Sequence, residues 1–467
     1  MPKGRQFALT WSIPDDFGGM TSALLHRSRA FVRLGGVTVD VLTFDARPDY
    51  AGVEARLREG GELIEGMRLL NLWDWLRAHE FDPDAAAHPN LGDPHFTALP
   101  LVHASGPTAM RLAPDGVTVL QVDYYRADGT LLASDRRDVH ALGTPGGRLV
   151  VLCDSAGQPV RSWGSIWGLY RFWLDLLRNR EPSFLIVDSK TVANFAMTYR
   201  RKRAVVVHVV HNSHMVGDEP VGELRASRRA VFENLGEFDA VVVLTQRQRR
   251  DVERLLGAAP NLRVIPNSRQ LPARRLFDKR DPGRGITIAS LTRRKQVDHA
   301  VRAIAAAADE VPVCLDIFGE GPEHESIARL AAASPAVRIR GYHPRARQQL
   351  ETASFILLTG RSEGFPLVLV EAMAAGCIPI AYDVRYGPAD LIESGRNGFL
   401  VAPGDEKALA DAIIALQRMP WHRVSRLRRN ARRSAARFSD LAVTRLWAGE
   451  LMDAAALKAA AWQRVTA

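Results

Sequence analysis

Six short, largely apolar runs in the second half of the chain, Ile286 to Leu291, Val313 to Phe318, Val337 to Ile339, Phe355 to Leu358, Ile378 to Tyr382 and Phe399 to Val401, are separated by helical patterns of ordinary length. Such runs belong to strands covered on both faces, and a parallel sheet flanked by helices provides that cover. The same rhythm opens the chain. A strand over Gln6 to Trp11 leads through a glycine-containing loop, Asp15 to Gly19, into a helix over Met20 to Leu34 and a strand over Val37 to Phe44. It resumes at Phe184 to Asp188, Ala204 to Val210, Asp239 to Thr245 and Arg263 to Pro266. Between the two stretches Val117 to Tyr125, Thr130 to Ser134, Arg148 to Cys153 and Gln158 to Ser162 alternate around the turn pairs Asp128-Gly129 and Ala156-Gly157, the pattern of antiparallel hairpins.

These patterns predict two parallel α/β domains, with an antiparallel subdomain inserted into the first. The first domain is expected over residues 1–85 and 166–267, the insertion over 86–165, the second domain over 268–440 and a terminal helix over 441–467. Ser268 to Arg284, polar and basic with Pro272, Pro282 and Gly283, reads as the linker. From Asp405 onward only helices are expected, some packing back onto the first domain. Two open α/β domains place ligands at the carboxyl ends of their strands, in a cleft between them.

Composition narrows the function classes. With 46% apolar and 24% charged residues the chain is globular, which excludes disordered and fibrous organisation. Its longest apolar stretches, such as Ala204 to Val210, fall far short of the ~18 to 20 residues of a spanning helix. Met1-Pro2-Lys3-Gly4-Arg5 starts no signal peptide, so the expected location is the cytoplasm, with the inner membrane face as the second place to look. Cys153, Cys314 and Cys377 form no CxxC pair and are read as buried thiols, neither disulfides nor a zinc site. The net charge of +10 favours anionic partners. No aromatic-interleaved basic platform accompanies it, which argues against nucleic acid.

The most informative stretch is Ser362-Glu363-Gly364-Phe365-Pro366-Leu367, continuing to Glu371-Ala372-Met373-Ala374-Ala375-Gly376. It follows an apolar strand, so Glu363 lies at the strand's carboxyl end, Gly364 permits close backbone approach, and Pro366 suits the first turn of a helix. Gly364, Phe365, Pro366 and Leu367 make that helix start, whose free N–H groups, proline supplying none, suit a nucleotide diphosphate. Glu371 is placed to accept from a ribose and Glu363 from a sugar hydroxyl. His208, His211 and His214, spaced by three on an extended segment, do not converge as metal ligands. They suit contact with a sugar better, and no metal site is assigned.

The Glu-x7-Glu spacing, the Gly-Phe-Pro and the Glu-Ala-Met-Ala-Ala-Gly resemble the signature of retaining glycosyltransferases of family 4. The resemblance implies the GT-B fold, two Rossmann-like domains facing across a cleft, and a nucleotide-sugar donor. It implies that Lys295 neutralises the donor phosphates and that His211 contacts the donor sugar, with His214 next in line and His208 structural. It gives Phe17-Gly18-Gly19-Met20-Thr21 as the glycine loop at the diphosphate, and Gly319-Glu320-Gly321-Pro322 with Gly341-Tyr342 as nucleobase loops. Five residues before Lys295, where the family usually has arginine, this chain has Ser290; Arg293 and Arg294 are the candidates to supply the charge, with Arg294 assigned to the donor.

Val241 to Asp251, Ile265-Pro266-Asn267 and Tyr386-Gly387-Pro388-Ala389-Asp390-Leu391-Ile392 resemble the teichoic-acid branch, the poly(glycerol-phosphate) α-glucosyltransferases and their α-N-acetylglucosaminyl relatives. That branch carries an antiparallel insertion, used for trimer contacts in some members. The resemblance implies transfer of glucose or N-acetylglucosamine, with retention, from a UDP-sugar to a poly(polyol phosphate), with no cofactor. Another polysaccharide or glycolipid acceptor stays open, as do an epimerase or hydrolase of the same fold and a nucleotide-sugar-binding protein without transferase activity. Arg200 to Arg203, Arg225, Arg228 and Arg229 are candidates for the polyanion or solvated helix faces, and Arg423 to Arg437 for an anionic membrane surface.

Overall fold

Apolar runs and glycine turns resolve into three sheets in a computed structural model that describes residues 1–82, 103–105, 107–217, 222–271 and 280–466. The first sheet has seven strands in the order Leu262–Val264, Ala240–Val243, Ala204–Val210, Ser183–Val187, Arg5–Leu9, Val39–Thr43, Met67–Asn71. The second has six, in the order Val337–Gly341, Cys314–Phe318, Asp281–Ile288, Ala353–Leu358, Ile378–Tyr382, Phe399–Val401, all pairs parallel. Its first strand is central and the chain winds outward in both directions. The loops after Asp281–Ile288 and Ala353–Leu358 therefore part at the reversal of strand order, where open α/β sheets bind ligands. The third sheet is an antiparallel meander of His103–Ser105, Thr108–Leu112, Val119–Tyr125, Leu131–Arg136, Leu149–Cys153 and Pro159–Trp163.

The chain forms two compact units, Lys3–Thr21 with Val37–Val205, and Met1–Pro2 with Ser22–Gly36 and Val206–Ala467. In the first unit the meander is joined to the helix Leu72–Arg77, which follows the edge strand, by aromatic stacking of Trp73 on Tyr124, centroids 3.5 Å apart. Within it Asp138, fully buried, is paired with Arg111 at 2.8 Å and Arg136 at 2.9 Å. In the second unit the helix Asp440–Thr466 packs on the segment Ser22–Gly36, with Trp447 edge-on to Phe31 at 6.1 Å and Asp440 bonded to His26 at 2.7 Å. Glu450 and Lys458 of that helix pair with Arg263 and Asp239, so the chain end does pack back as the pattern predicts.

Three expectations need correction or completion. The strand expected from Ile286 begins at Asp281, so the last part of the expected linker is sheet; its residues are polar because that end lies near the surface. Residues 272–279, with Pro272, and the expected insertion residues 86–102 lie outside the described residues. Between Phe44 and Trp75 the pattern predicts nothing, yet a helix Tyr50–Glu59 and an edge strand Met67–Asn71 form there. Cys153 and Cys377 are buried, and burial pushes both thiols up to about 12, whereas Cys314 is half-buried.

Candidate active site

The loop after Asp281–Ile288 carries Arg293, Arg294 and Lys295 in a single 3-10 turn, and the loop after Ala353–Leu358 carries Glu363. Strand pairing sets these loops side by side. Lys295 Nζ donates to Glu363 Oε1 at 2.5 Å, and the Glu363 side chain is 9% exposed. Arg294 Nη1 donates to the Ser362 carbonyl at 2.8 Å and stands 4.0 Å from the Glu363 carboxylate. Arg293 instead turns outward to Glu323 at 3.3 Å. Arg294 is thus the arginine beside Glu363, with Ser290 exposed.

Main-chain bonds fix this arrangement. The Arg361 N–H donates to the Arg294 carbonyl at 2.8 Å, and the Thr359 hydroxyl donates to the Lys295 carbonyl at 3.1 Å. Glu363 donates through its N–H to the Arg385 carbonyl at 3.2 Å and accepts through its carbonyl from the Tyr386 N–H at 2.6 Å. Thr359, Arg361 and Arg385 are supporting residues that the sequence patterns do not single out; only position beside a motif could have flagged them. Gly364 has a specific reason to be glycine: a Cβ there would lie 1.8 Å from the His211 carbonyl oxygen. His211 is therefore held by its main chain against the Glu363 loop.

Helix Leu367–Ala375 follows, with Pro366 at its N-cap, one position earlier than expected. Phe365 packs on Phe438, ring centroids 5.4 Å apart, so its ring belongs to the core. Glu371 is clamped by Arg269 at 2.7 Å and Arg347 at 3.1 Å. Gly319 and Gly321 take positive φ, and a Cβ at Gly319 would meet the Ala289 carbonyl oxygen at 1.8 Å. The Tyr342 N–H donates to Glu320 Oε1 at 3.3 Å, joining the two loops expected around a nucleobase.

The histidines separate. His214 is fully buried between the rings of Phe232 and Tyr386, 5.1 and 6.1 Å away, with neither ring nitrogen partnered among the described residues. Burial lowers it to about 4, so it is neutral at pH 7. It is a core residue and not a stand-in for His211. His208 is buried too, stacked on Phe238 at 5.5 Å. Gly18 and Gly19 lie in the other unit, at the start of helix Gly19–Gly35, and a Cβ on either would meet nothing within 4 Å. Of the basic candidates, Arg201 is paired with Asp175 at 2.6 Å and Arg225 donates to the Met215 carbonyl at 2.7 Å.

Residues 283–418, which include Lys295, Glu363 and Glu371, match the glycosyl transferases group 1 family model. The whole chain superposes on the crystal structure of S. aureus TarM in complex with fondaparinux, α-GlcNAc-glycerol and UDP, with a TM-score of 0.69 at 19% identity, covering 96% of this chain and 99% of that one. The chain has the GT-B fold. It is 26% identical over 482 aligned residues to the poly(glycerol-phosphate) alpha-glucosyltransferase of Bacillus subtilis, covering 90% of this chain and 70% of the relative. It is 40% identical over 188 residues to an exopolysaccharide phosphotransferase of Streptomyces coelicolor, covering 38% of this chain but only 20% of that protein. No helix among the described residues is long and apolar enough to cross a membrane.

Proposed function

We propose that this protein is a glycosyltransferase that moves glucose or N-acetylglucosamine, with retention, from a UDP-sugar to a hydroxyl of a poly(polyol phosphate). The observation that carries the reading is the Lys295–Glu363 pair at the reversal of strand order, one loop ahead of the helix start at Leu367. In this reading residues 268–440 hold the donor, and residues 1–85 with 166–267 hold the acceptor.

The bond from the anomeric carbon to the diphosphate oxygen breaks, and the acceptor oxygen bonds to that carbon on the same face. The acceptor proton passes to the departing phosphate oxygen, so no protein base is required. Lys295, Arg294 and the Leu367 helix start oppose the charge that grows on the diphosphate, the kind of fixed stabilisation that contributes most to such transfers. Glu363 holds a sugar hydroxyl, and its ion pair with Lys295 keeps both side chains in place before the donor arrives. The reaction uses no cofactor.

Two further contacts belong to this reading. Helix Trp421–Ala435 and its continuation expose Arg423, Arg426, Arg429, Arg433 and Arg437 in one row without an acidic residue between 421 and 437, beside Trp421, which is 80% exposed. This row and its tryptophan suit an anionic membrane face. The meander exposes Val117, Val139 and Leu142, which supports self-association into a trimer through the insertion.

The test is UDP release from UDP-glucose and UDP-N-acetylglucosamine, with and without poly(glycerol phosphate). Acceptor-dependent release with labelled polymer is expected. Release unaffected by acceptor would point to a hydrolase or epimerase, and donor binding without release to a pocket without transferase activity.

A further inference from the structure

The first parallel sheet also reverses its strand order, on either side of Arg5–Leu9, and a cavity of about 370 Å³ lies in that unit. It is lined from just beyond the carboxyl ends of several strands: Trp11 follows Arg5–Leu9, Phe44 and Asp45 follow Val39–Thr43, and Thr191 follows Ser183–Val187. The meander and the helix Ile166–Arg178 supply the other walls, through Tyr124, Arg137 and Arg148 and through Trp167 and Tyr170. Both the size and the lining, seven of its fifteen residues aromatic, are those of a small-ligand site.

Its polar groups are incompletely answered. Tyr124 and Tyr170, 9% and 7% exposed, bring two phenols to the lining. The buried Nε of Arg137 has no hydrogen-bond partner among the described residues, where buried polar groups ordinarily find one. Burial raises both phenols, so they remain O–H donors. Charge selects the ligand: Asp135 is held by Arg148 at 2.7 Å and by Arg137 at 3.1 Å, and Asp45 accepts from Tyr50. Two arginines against two aspartates leave the lining with no net charge, which disfavours a phosphate and favours a neutral, hydroxyl-rich ligand. Flat aromatic walls suit the C–H faces of a sugar ring, and phenol and guanidinium donors suit its oxygens.

We propose that this cavity is a saccharide subsite that holds one neutral pyranose unit. Its use as part of an acceptor site rests on the transfer reading above, whereas binding of the sugar does not. A polymer already carrying hexoses would be held here by a hexose and not by its phosphates.

The test is titration of tryptophan fluorescence, Trp11, Trp73 and Trp167 being in the lining, with methyl α-D-glucopyranoside, glycerol 3-phosphate and inorganic phosphate. Saturable millimolar binding of the glucoside is expected in the wild type and in Glu363→Gln, with neither phosphate competing. Tyr124→Phe with Tyr170→Phe should weaken it about tenfold or more, and Ala46→Trp, which adds bulk to the lining, should abolish it; the Kd for UDP should not change in either variant. Absent sugar binding, binding indifferent to these variants, or a preference for either phosphate would overturn the proposal. Donor turnover measured on the same samples keeps the outcomes apart: turnover without sugar binding removes only the subsite, and sugar binding without turnover removes only the transfer reading.

Discussion

The site around Glu363 and the cavity around Tyr124 occupy the same kind of place, the reversal of strand order in a parallel sheet, but they are built in opposite ways. Around Glu363 the polar groups answer one another: Lys295 bonds the carboxylate, Arg294 bonds the neighbouring carbonyl, and Gly364 is glycine because the His211 carbonyl closes on it. Around Tyr124 the buried Nε of Arg137 goes unanswered among the described residues, and in the same unit Gly18 and Gly19 are glycines that no protein atom demands. A site that satisfies itself stands ready in a fixed geometry. One that leaves donors open, or keeps glycine against empty space, reserves room for a ligand.

The sharpest way to break this comparison is at the glycines. Gly364→Ala puts a methyl into a backbone oxygen and should cost more than about 4 kcal/mol, seen as a lowered urea midpoint; a midpoint near wild type would show that the close approach does not exist. Next is Glu363→Gln, which leaves the fold intact and should reduce kcat about 10²- to 10³-fold. A nearly wild-type rate would remove Glu363 from sugar positioning.

His214 sharpens the comparison from the other side, because its nitrogens are unpartnered yet sealed between rings, where no ligand reaches. Its folded pKa, about 4, lies below its usual 6.5, so the unfolded chain binds the proton more readily. Stability is then complete above about pH 6.5 and falls by roughly 3 kcal/mol as the pH drops towards 4. His214→Phe should remove that part of the slope in urea titrations between pH 7 and 4; an unaltered slope would mean the ring is not buried neutral. The smallest effect belongs to Gly19→Ala: stability within about 0.5 kcal/mol of wild type, with a raised KM for the donor. A destabilised fold with unaltered KM would reverse the reading of that loop.

The same contrast explains what was legible in the sequence. Glu363, Gly364, Phe365, Pro366 and Leu367 are contiguous, and a strand followed by glycine and proline announces both the loop and the helix start, whereas Lys295 was legible only through the family resemblance. Glu371 was legible as a helical carboxylate, but its partners Arg269 and Arg347 lie 102 and 24 residues away, and no local pattern links them. His214 stood next in line to His211 because spacing along a strand says nothing about which side is sealed. The cavity was illegible altogether, since Trp11, Tyr124, Arg148 and Tyr170 come from separate elements of two sheets and a helix. Edge strand Met67–Asn71 escaped for a simpler reason: alternate residues face out, so its apolar run is broken.

The central claim is hexosyl transfer with retention at the Lys295–Glu363 site. Proton NMR of poly(glycerol phosphate) glycosylated by the wild type from UDP-α-glucose or UDP-α-N-acetylglucosamine tests it most directly. The account predicts a new α-anomeric proton signal with a small coupling constant, its intensity matching the UDP released and nearly absent with Glu363→Gln. A β-anomeric signal, or UDP release accompanied only by free sugar, would contradict it.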